Sequence, residues 1–82
     1  MSFYVYILRS LKDKKYYIGS SSDVNARLLF HNAGLQRSTK GRIPFELVYT
    51  ELMENKELAL KREKQIKSYK GGEAFKRLLL GK

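Results

Sequence analysis

The pattern of hydrophobic and polar positions predicts three strands. Residues 3–8, FYVYIL, are aromatic or aliphatic at every position, which is typical of a strand buried on both faces. A polar turn at 11–15 and a short apolar stretch at 16–19 predict that this strand pairs with a second one in an antiparallel hairpin. Residues 45–52 alternate only partly, yet their composition predicts a third strand.

Two longer segments carry the signals of helices. The run of Ser and Asp at 20–23 offers N-caps for a helix over 24–32, and Gly34 follows at a position that commonly ends helices. Asn55 is a candidate cap for a second helix, which should extend to Lys70. Both helices are expected to turn an apolar side to the sheet.

A third, short helix over 73–80 follows Gly71 and Gly72, which should end the second one. Residues 35–44 are polar, basic and turn-rich, and predict a surface loop. The order β-β-α-β-α-α predicts an α+β fold, a three-stranded antiparallel sheet flanked by helices. The helix residues expected in the core are Val24, Leu28, Leu29, Leu58, Ala59, Ile66, Tyr69, Phe75, Leu78 and Leu79.

Composition narrows the class of protein. A chain of 82 residues has room for one domain, 1–82, and its 43% hydrophobic content argues against disorder. The absence of Cys excludes disulfides, thiolate metal sites and a cysteine nucleophile, and a single His excludes a multi-histidine metal site. No apolar run approaches the roughly 18 residues of a membrane span, and the N-terminus does not resemble a signal peptide. A cytoplasmic protein without a membrane partner is therefore expected.

The charge balance indicates the type of partner. Seventeen Lys and Arg against eight Asp and Glu give a net charge of +9, which in a small domain favours a polyanion, most commonly nucleic acid. The alternative is that the lysines only keep the protein soluble. The basic residues expected to contact nucleic acid are Lys15, Arg37, Lys40, Arg42, Lys61, Lys64 and Lys67.

Two tyrosines on the predicted hairpin are candidates for chemistry. Tyr6 and Tyr17 should project from the same face of the sheet if the turn has two or four residues, because strand side chains alternate. Gly19 lacks a side chain where the backbone would approach a ligand closely. The alternative is that both tyrosines pack the edge of the core with their hydroxyls in water.

The two longer helices supply three further candidates. Arg27 and His31 lie one turn apart, so both can face a phosphate, although a surface arginine and a histidine near a helix C-terminus are also common. Glu63 is the only acid between Lys61 and Lys70 and flanks the apolar face, as a ligand of a divalent cation would. The alternative for Glu63 is an i,i+4 ion pair with Lys67.

Taken in order, these residues resemble the motifs of the GIY-YIG endonuclease superfamily, and most closely its small bacterial single-domain branch. Tyr4-Val5-Tyr6 stands in the place of the first motif and Tyr17-Ile18-Gly19 forms the second. Arg27 and His31 follow, and residues 62–67, REKQIK, supply the helix with the carboxylate. The resemblance covers about residues 3–69.

The resemblance implies a phosphodiesterase that uses one divalent cation, Mg²⁺ or Mn²⁺. Glu63 would be the metal ligand, and Arg27 would stabilise charge on the scissile phosphate. Tyr6 or Tyr17 would take the proton from the attacking water, with His31 assisting. A phenol with a pKa of about 10 is a poor base at neutral pH, so cationic neighbours, Arg27 or Lys15, would have to favour the phenolate.

The chain also departs from the family pattern. Tyr4 replaces the first glycine of the opening motif, and residues 71–82 offer no clear counterpart of a polar residue that many members carry after the glutamate helix. Longer relatives use a separate DNA-binding domain that is not found here, so either a protein partner supplies specificity or basic residues grip the phosphate backbone. The prediction is a metal-dependent endonuclease acting on structured or branched DNA rather than RNA. The alternatives are a non-catalytic nucleic-acid-binding module and a basic subunit of a DNA-repair or ribonucleoprotein complex.

Overall fold

The computed structural model describes residues 2–80 and has the predicted order of elements. Three strands and three helices are joined by short loops, one of which contains a single 3₁₀ turn. The elements are β1 (Phe3–Ser10), β2 (Tyr16–Ser21), α1 (Val24–Asn32), the 3₁₀ turn (Lys40–Arg42), β3 (Phe45–Met53), α2 (Lys56–Lys67) and α3 (Glu73–Leu79). The predicted α+β class and its β-β-α-β-α-α order are confirmed.

The hydrophobic character of the first strand follows from its position in the sheet. The strand order is β2-β1-β3 with antiparallel pairing on both sides, so β1 is central. Val5 and Ile7 are fully buried on one face, and Tyr6 and Leu8 are buried on the other. Both faces of β1 are covered, so burying a charged or strongly polar side chain at positions 5–8 would cost free energy. This is the burial on both faces that the sequence predicts.

The helices cover the two faces of the sheet unequally. On the Val5 face, α2 and α3 contribute the buried side chains of Ala59, Ile66 and Phe75. On the Tyr6 face, α1 packs Val24 and Leu28 against the sheet together with Phe45 of β3. The site described below forms on this second face, where one short helix leaves part of the sheet open.

Most helix boundaries agree with the sequence. The Asp23 carboxylate accepts the backbone N–H of Ala26 at 3.0 Å and caps α1, and Gly34 follows its end with φ +77°. The Asn55 side chain caps α2 in the same way. The predicted extension of α2 to Lys70 is wrong, because Lys70 itself adopts a positive φ of 51° that an α-helix does not allow.

Two predicted core positions are also wrong. The Leu29 residue is 72% exposed and Leu58 is 40% exposed. Each lies next to a position that does face the sheet, Leu28 in α1 and Ala59 in α2, and a step of one residue rotates a helical side chain by about 100°. Both helices therefore present narrower apolar stripes than their composition suggests.

The polar segment 35–44 is not entirely a surface loop. Thr39, just before the 3₁₀ turn, is fully buried. The Ser10 hydroxyl donates to the carbonyl oxygen of Arg42 at 2.6 Å and ties the loop to β1. Within residues 2–80, no helix is both long enough and apolar enough to cross a membrane.

Candidate active site

The hairpin register brings the two tyrosines together. Tyr6 lies opposite Gly19 and Leu8 lies opposite Tyr17, so both tyrosine side chains project from the same face of the sheet. Their ring centroids are 6.4 Å apart with an angle of 36° between the planes. Tyr6 is buried, whereas Tyr17 is half-buried at the rim of the site.

Gly19 makes room for the phenol of Tyr6. A Cβ atom at position 19 would lie 2.6 Å from Tyr6 Oη and 2.7 Å from Tyr6 Cζ, closer than real Cβ contacts allow. The sequence suggests that this glycine admits a ligand, but the space is taken by Tyr6. The glycine is therefore required because a side chain of the same protein crosses the backbone of β2 there.

His31 lies at the centre of the polar contacts. It is fully buried near the end of α1, and its Nε2 atom is 3.2 Å from Tyr6 Oη. Its Nδ1 atom is 2.9 Å from Thr39 Oγ1, and the Tyr17 ring centroid is 4.8 Å from that of the imidazole. The imidazole is thus held between a strand tyrosine and the buried threonine of the following loop.

Arg27 lies one turn before His31 and beside the hydroxyl of Tyr6. Its guanidinium stacks over the ring of Phe30, 4.6 Å from the centroid, and its charge acts on both Tyr6 and His31. The Nε atom of Arg27 is buried and has no hydrogen-bond partner within residues 2–80. An unpaired, buried cationic donor is costly, and an anionic oxygen is the partner that would satisfy it best.

The protonation states in the site follow from burial. Burial raises the pKa of Tyr6 above its usual value of 10.0, and the opposing charge of Arg27 does not overcome this effect. Burial also lowers the pKa of His31 below 6.5, with Arg27 adding to the shift. At neutral pH the pair is therefore a neutral phenol next to a neutral imidazole. For Tyr6, the charge of Arg27 is not enough to favour the phenolate in the free protein.

Glu63 lies on α2, which packs against the opposite face of the sheet. One carboxylate oxygen accepts the Ser20 hydroxyl at 2.9 Å and the other is 2.7 Å from Lys67 Nζ. The predicted alternative, an i,i+4 pair with Lys67, is thus present, but the carboxylate is also fixed to β2 next to Gly19. Its charge acts on the Tyr6 hydroxyl and contributes to the raised pKa of that group.

The donor groups around Glu63 fit a hard divalent cation with few protein ligands. No group of three or more Asp, Glu or His side chains that could hold a metal converges within residues 2–80, so a cation here would have one carboxylate and otherwise water or hydroxyl oxygens. Mg²⁺ accepts one or two carboxylates and keeps several waters, and Mn²⁺ also prefers oxygen ligands. The side chain that would hold it is Glu63, assisted by the hydroxyl of Ser20.

The basic residues predicted to contact nucleic acid differ in whether their side chains already pair with other groups of the protein. Lys15 is exposed near the hairpin turn, Arg37 and Lys40 are exposed in the loop after α1, and Lys61 and Lys64 are exposed on α2. Arg42 instead pairs with Asp13 at 2.9 Å and also donates to the backbone oxygen of Tyr16 at 3.3 Å. Its guanidinium fastens the loop to the hairpin, and its role in binding nucleic acid stays a prediction.

Sequence reasoning missed two side chains of the site, Thr39 and Ser20. Thr39 is one of several polar residues in a turn-rich segment, and Ser20 belongs to a run of three serines, so neither carries a signal of its own. Contacts between distant parts of the chain bring them into place: Ser20 meets a carboxylate 43 residues away. Only the folded arrangement distinguishes them from their neighbours.

Comparison with known proteins identifies the family of the chain. The family model described as the GIY-YIG catalytic domain matches residues 2–75, and the chain belongs to this family of nucleases. Within it, UPF0213 proteins from Staphylococcus aureus strains COL and Mu50 are each 48% identical over 69 residues, 83% of this chain and 83% of each relative. The solution NMR structure of a UPF0213 protein from Bacillus halodurans matches with a TM-score of 0.54 and 37% identity, over 98% of this chain and 83% of that one. The resemblance predicted from the motifs is confirmed.

Proposed function

We propose that the protein is a metal-dependent endonuclease that hydrolyses phosphodiester bonds in structured or branched DNA. The observation that carries the proposal is the convergence of Tyr6, Tyr17, Arg27 and His31 on one face of the sheet, with the charge of Glu63 acting on the Tyr6 hydroxyl. The family to which the chain belongs supports a nuclease reaction. The cation, Mg²⁺ or Mn²⁺, and the choice of DNA over RNA are parts of the proposal.

Each side chain has a role that its surroundings support. The buried Nε donor of Arg27 binds an oxygen of the scissile phosphate and stabilises the negative charge that develops on it. The Tyr6 hydroxyl accepts a proton from the attacking water, and His31 is the neighbouring group that can take the phenolic proton in turn. Tyr17, at the rim, orients the substrate beside the imidazole.

Glu63 is the residue through which the divalent cation would be held. When bound, the cation would polarise a phosphoryl oxygen and make the phosphorus a better electrophile. Lys67 pairs with the same carboxylate, so a bound cation would have to displace its ammonium from Glu63. The hydrogen bond from Ser20 keeps the carboxylate oriented toward the edge of β2.

The proposed preference for structured DNA is compatible with the kind of contacts available. The exposed basic side chains are long, flexible and suited to phosphates, and such contacts position a duplex without reading its sequence. Selection by the shape of a junction or flap is compatible with that contact set. A protein partner that supplies specificity is the other arrangement that we propose to test.

The test is the exchange of the carboxylate for an amide, Glu63→Gln, which keeps the size and removes the charge. We expect cleavage to fall by at least about 100-fold, because even losing a partner of a metal ligand costs 10–100-fold. Binding to DNA should persist, and the stability loss should be about 0.2–0.5 kcal/mol, that of a helix ion pair. The matched control is Glu57→Gln, an exposed acid in the first turn of the same helix.

The assay uses flaps, four-way junctions, duplexes and single strands of both DNA and RNA, with Mg²⁺ or Mn²⁺. Broadening of amide NMR signals by Mn²⁺ near Glu63, absent in the variant, reports metal binding independently of cleavage. Equal cleavage by wild type and Glu63→Gln would contradict the mechanism. Tight binding by a wild type that cuts none of these substrates would favour the non-catalytic binding module.

A further inference from the structure

The direction of the hydrogen bonds around His31 is fixed at the loop end. The Thr39 hydroxyl is fully buried, 2.9 Å from His31 Nδ1 and 3.4 Å from the backbone oxygen of Gln36. The carbonyl oxygen of Gln36 can only accept, and it accepts both the backbone N–H of Thr39 at 3.1 Å and the Thr39 hydroxyl. The hydroxyl oxygen then accepts from His31, which requires a hydrogen on Nδ1.

The contact at the other end is compatible with that tautomer. Arg27 has donors only and its positive charge acts on the Tyr6 hydroxyl, which favours a phenolic hydrogen that points away from the guanidinium. His31 Nε2 lies 3.2 Å from the phenolic oxygen. A neutral imidazole carries one N–H, and with that hydrogen on Nδ1 the Nε2 lone pair is free to accept. The Thr39 contact therefore sets the tautomer, and the Tyr6 contact fits it.

We propose that Thr39 is a positioning residue: its hydroxyl holds His31 with the hydrogen on Nδ1, so that Nε2 draws the proton from Tyr6 during hydrolysis. This role rests on the nuclease function proposed above. His31 acts on the reacting water through Tyr6, and Thr39 acts through His31. None of the sequence motifs contains Thr39.

The proton transfers balance without an accumulated phenolate. The attacking water gives one proton to Tyr6 Oη while the original proton of Tyr6 passes to His31 Nε2, which becomes an imidazolium. The resulting hydroxide forms the new O–P bond, and the bond from phosphorus to the leaving oxygen breaks with its electron pair on that oxygen. Tyr6 is neutral before and after, so its raised pKa does not oppose the reaction. The base that ends with the proton is an imidazole whose pKa is lowered by burial and by Arg27, so the negative charge of a bound phosphate would be needed to favour the imidazolium.

The test uses ¹⁵N NMR of the imidazole, which is unambiguous because the chain has one histidine. In the wild type at neutral pH we expect Nδ1 to be protonated and Nε2 to be the acceptor. Thr39→Val keeps the shape and removes the acceptor, so the Nε2–H tautomer should become substantially populated. Thr39→Ser should restore the wild-type signals, and Thr50→Val, an exposed threonine of β3, should leave them unchanged.

A wild-type histidine protonated on Nε2 would overturn the proposal, as would an unchanged tautomer in a folded Thr39→Val. If Thr39→Val does not fold, the wild-type tautomer and its retention in Thr39→Ser decide the question. These measurements need no substrate, so they stand even if the protein cuts no nucleic acid.

Cleavage then separates the two proposals. General base catalysis contributes about 10²–10⁴-fold, and we expect Thr39→Val to lose at least about tenfold in kcat with KM little changed, whereas Thr39→Ser stays close to wild type. If wild type cuts and a folded Thr39→Val cuts equally fast, the positioning role is wrong and the nuclease function stands. If wild type cuts nothing while the Nδ1–H tautomer is found, the nuclease function is wrong and the catalytic part of this proposal falls with it.

Discussion

Among single residues, Gly19 has the most direct influence on the site. The Cβ of Gly19→Ala would meet Tyr6 Oη at 2.6 Å, so the phenol would have to tilt away from both the strand and His31. Overpacking of this kind costs about 1–3 kcal/mol. We expect urea unfolding to show a loss in that range, together with loss of the wild-type imidazole signals.

The control for this change is Gly41→Ala. Apart from its own chain neighbours, no atom of the described residues lies within 4 Å of the Cβ that alanine would add at position 41, so stability should change little. If Gly19→Ala is as stable as Gly41→Ala, the close packing of Tyr6 on β2 is wrong. The two variants together separate a steric effect from the general effect of replacing glycine.

His31 leads to a second prediction at the residue scale, which concerns how the free energy of unfolding depends on pH. Its pKa is lower in the folded protein than the usual 6.5, so the unfolded chain takes up a proton first as the pH falls. The contribution of neutral His31 to the free energy of unfolding is complete above about pH 6.5. It is lost as the pH falls from there toward the folded-state pKa, and the free energy of unfolding then changes by at most about 1.4 kcal/mol per pH unit. Urea unfolding between pH 7.5 and 5 measures it.

The comparison variant for that measurement is His31→Gln. It should be less stable at pH 7.5 but nearly indifferent to pH in this window, because no other histidine is present. Asp13, whose pKa is lowered from 3.8 chiefly by the backbone N–H of Lys15, affects stability only at more acidic pH. An equal pH dependence in wild type and His31→Gln would contradict the assignment to His31.

At the scale of secondary-structure elements, the sequence predicts the features that depend on residues close together in the chain. The central strand β1 could be recognised because burial on both faces leaves no polar position, and α1 because Asp23 and Gly34 mark its ends. The end of α2 could not be placed, since the backbone turn at Lys70 is compatible with many residue types. The narrow stripe of α2 was missed because the small Ala59 faces the sheet while the larger Leu58 does not.

The candidate site, too, can be predicted only in part from local sequence patterns. The common face of Tyr6 and Tyr17 follows from the period of two in strands, and Arg27 and His31 share a helix face through their spacing of four. The contact between Tyr6 and His31 joins residues 25 apart, and the hydroxyl of Thr39 completes it from a loop. Such contacts depend on how elements pack, which neither periodicity nor propensity specifies.

For the whole molecule, the distribution of charge determines how it meets a polyanion. Within residues 2–80, four ion pairs, Arg9–Glu46, Arg42–Asp13, Arg62–Glu51 and Lys67–Glu63, involve four of the eight acids. The net charge of +9 therefore arises largely from lysines and arginines outside these pairs. The longest dimension of 31 Å corresponds to about nine successive phosphates at 3.4 Å each, which limits how many contacts one molecule can make along a strand.

The proposal that this charge binds nucleic acid predicts a steep dependence of affinity on salt. Each phosphate contact releases counterions, so log K falls linearly with log salt concentration with a slope of about −0.9 per contact on duplex DNA. We expect the double variant Arg37→Gln, Lys40→Gln to reduce the slope by about 1.8, twice that value, and Lys76→Gln, an exposed lysine of α3 outside the predicted contacts, to leave it unchanged. Fluorescence anisotropy of a labelled DNA junction across a salt series measures these slopes. A wild-type affinity that does not change with salt would contradict the polyanion partner, whereas an unchanged slope in the double variant would show that the loop after α1 does not touch the phosphates.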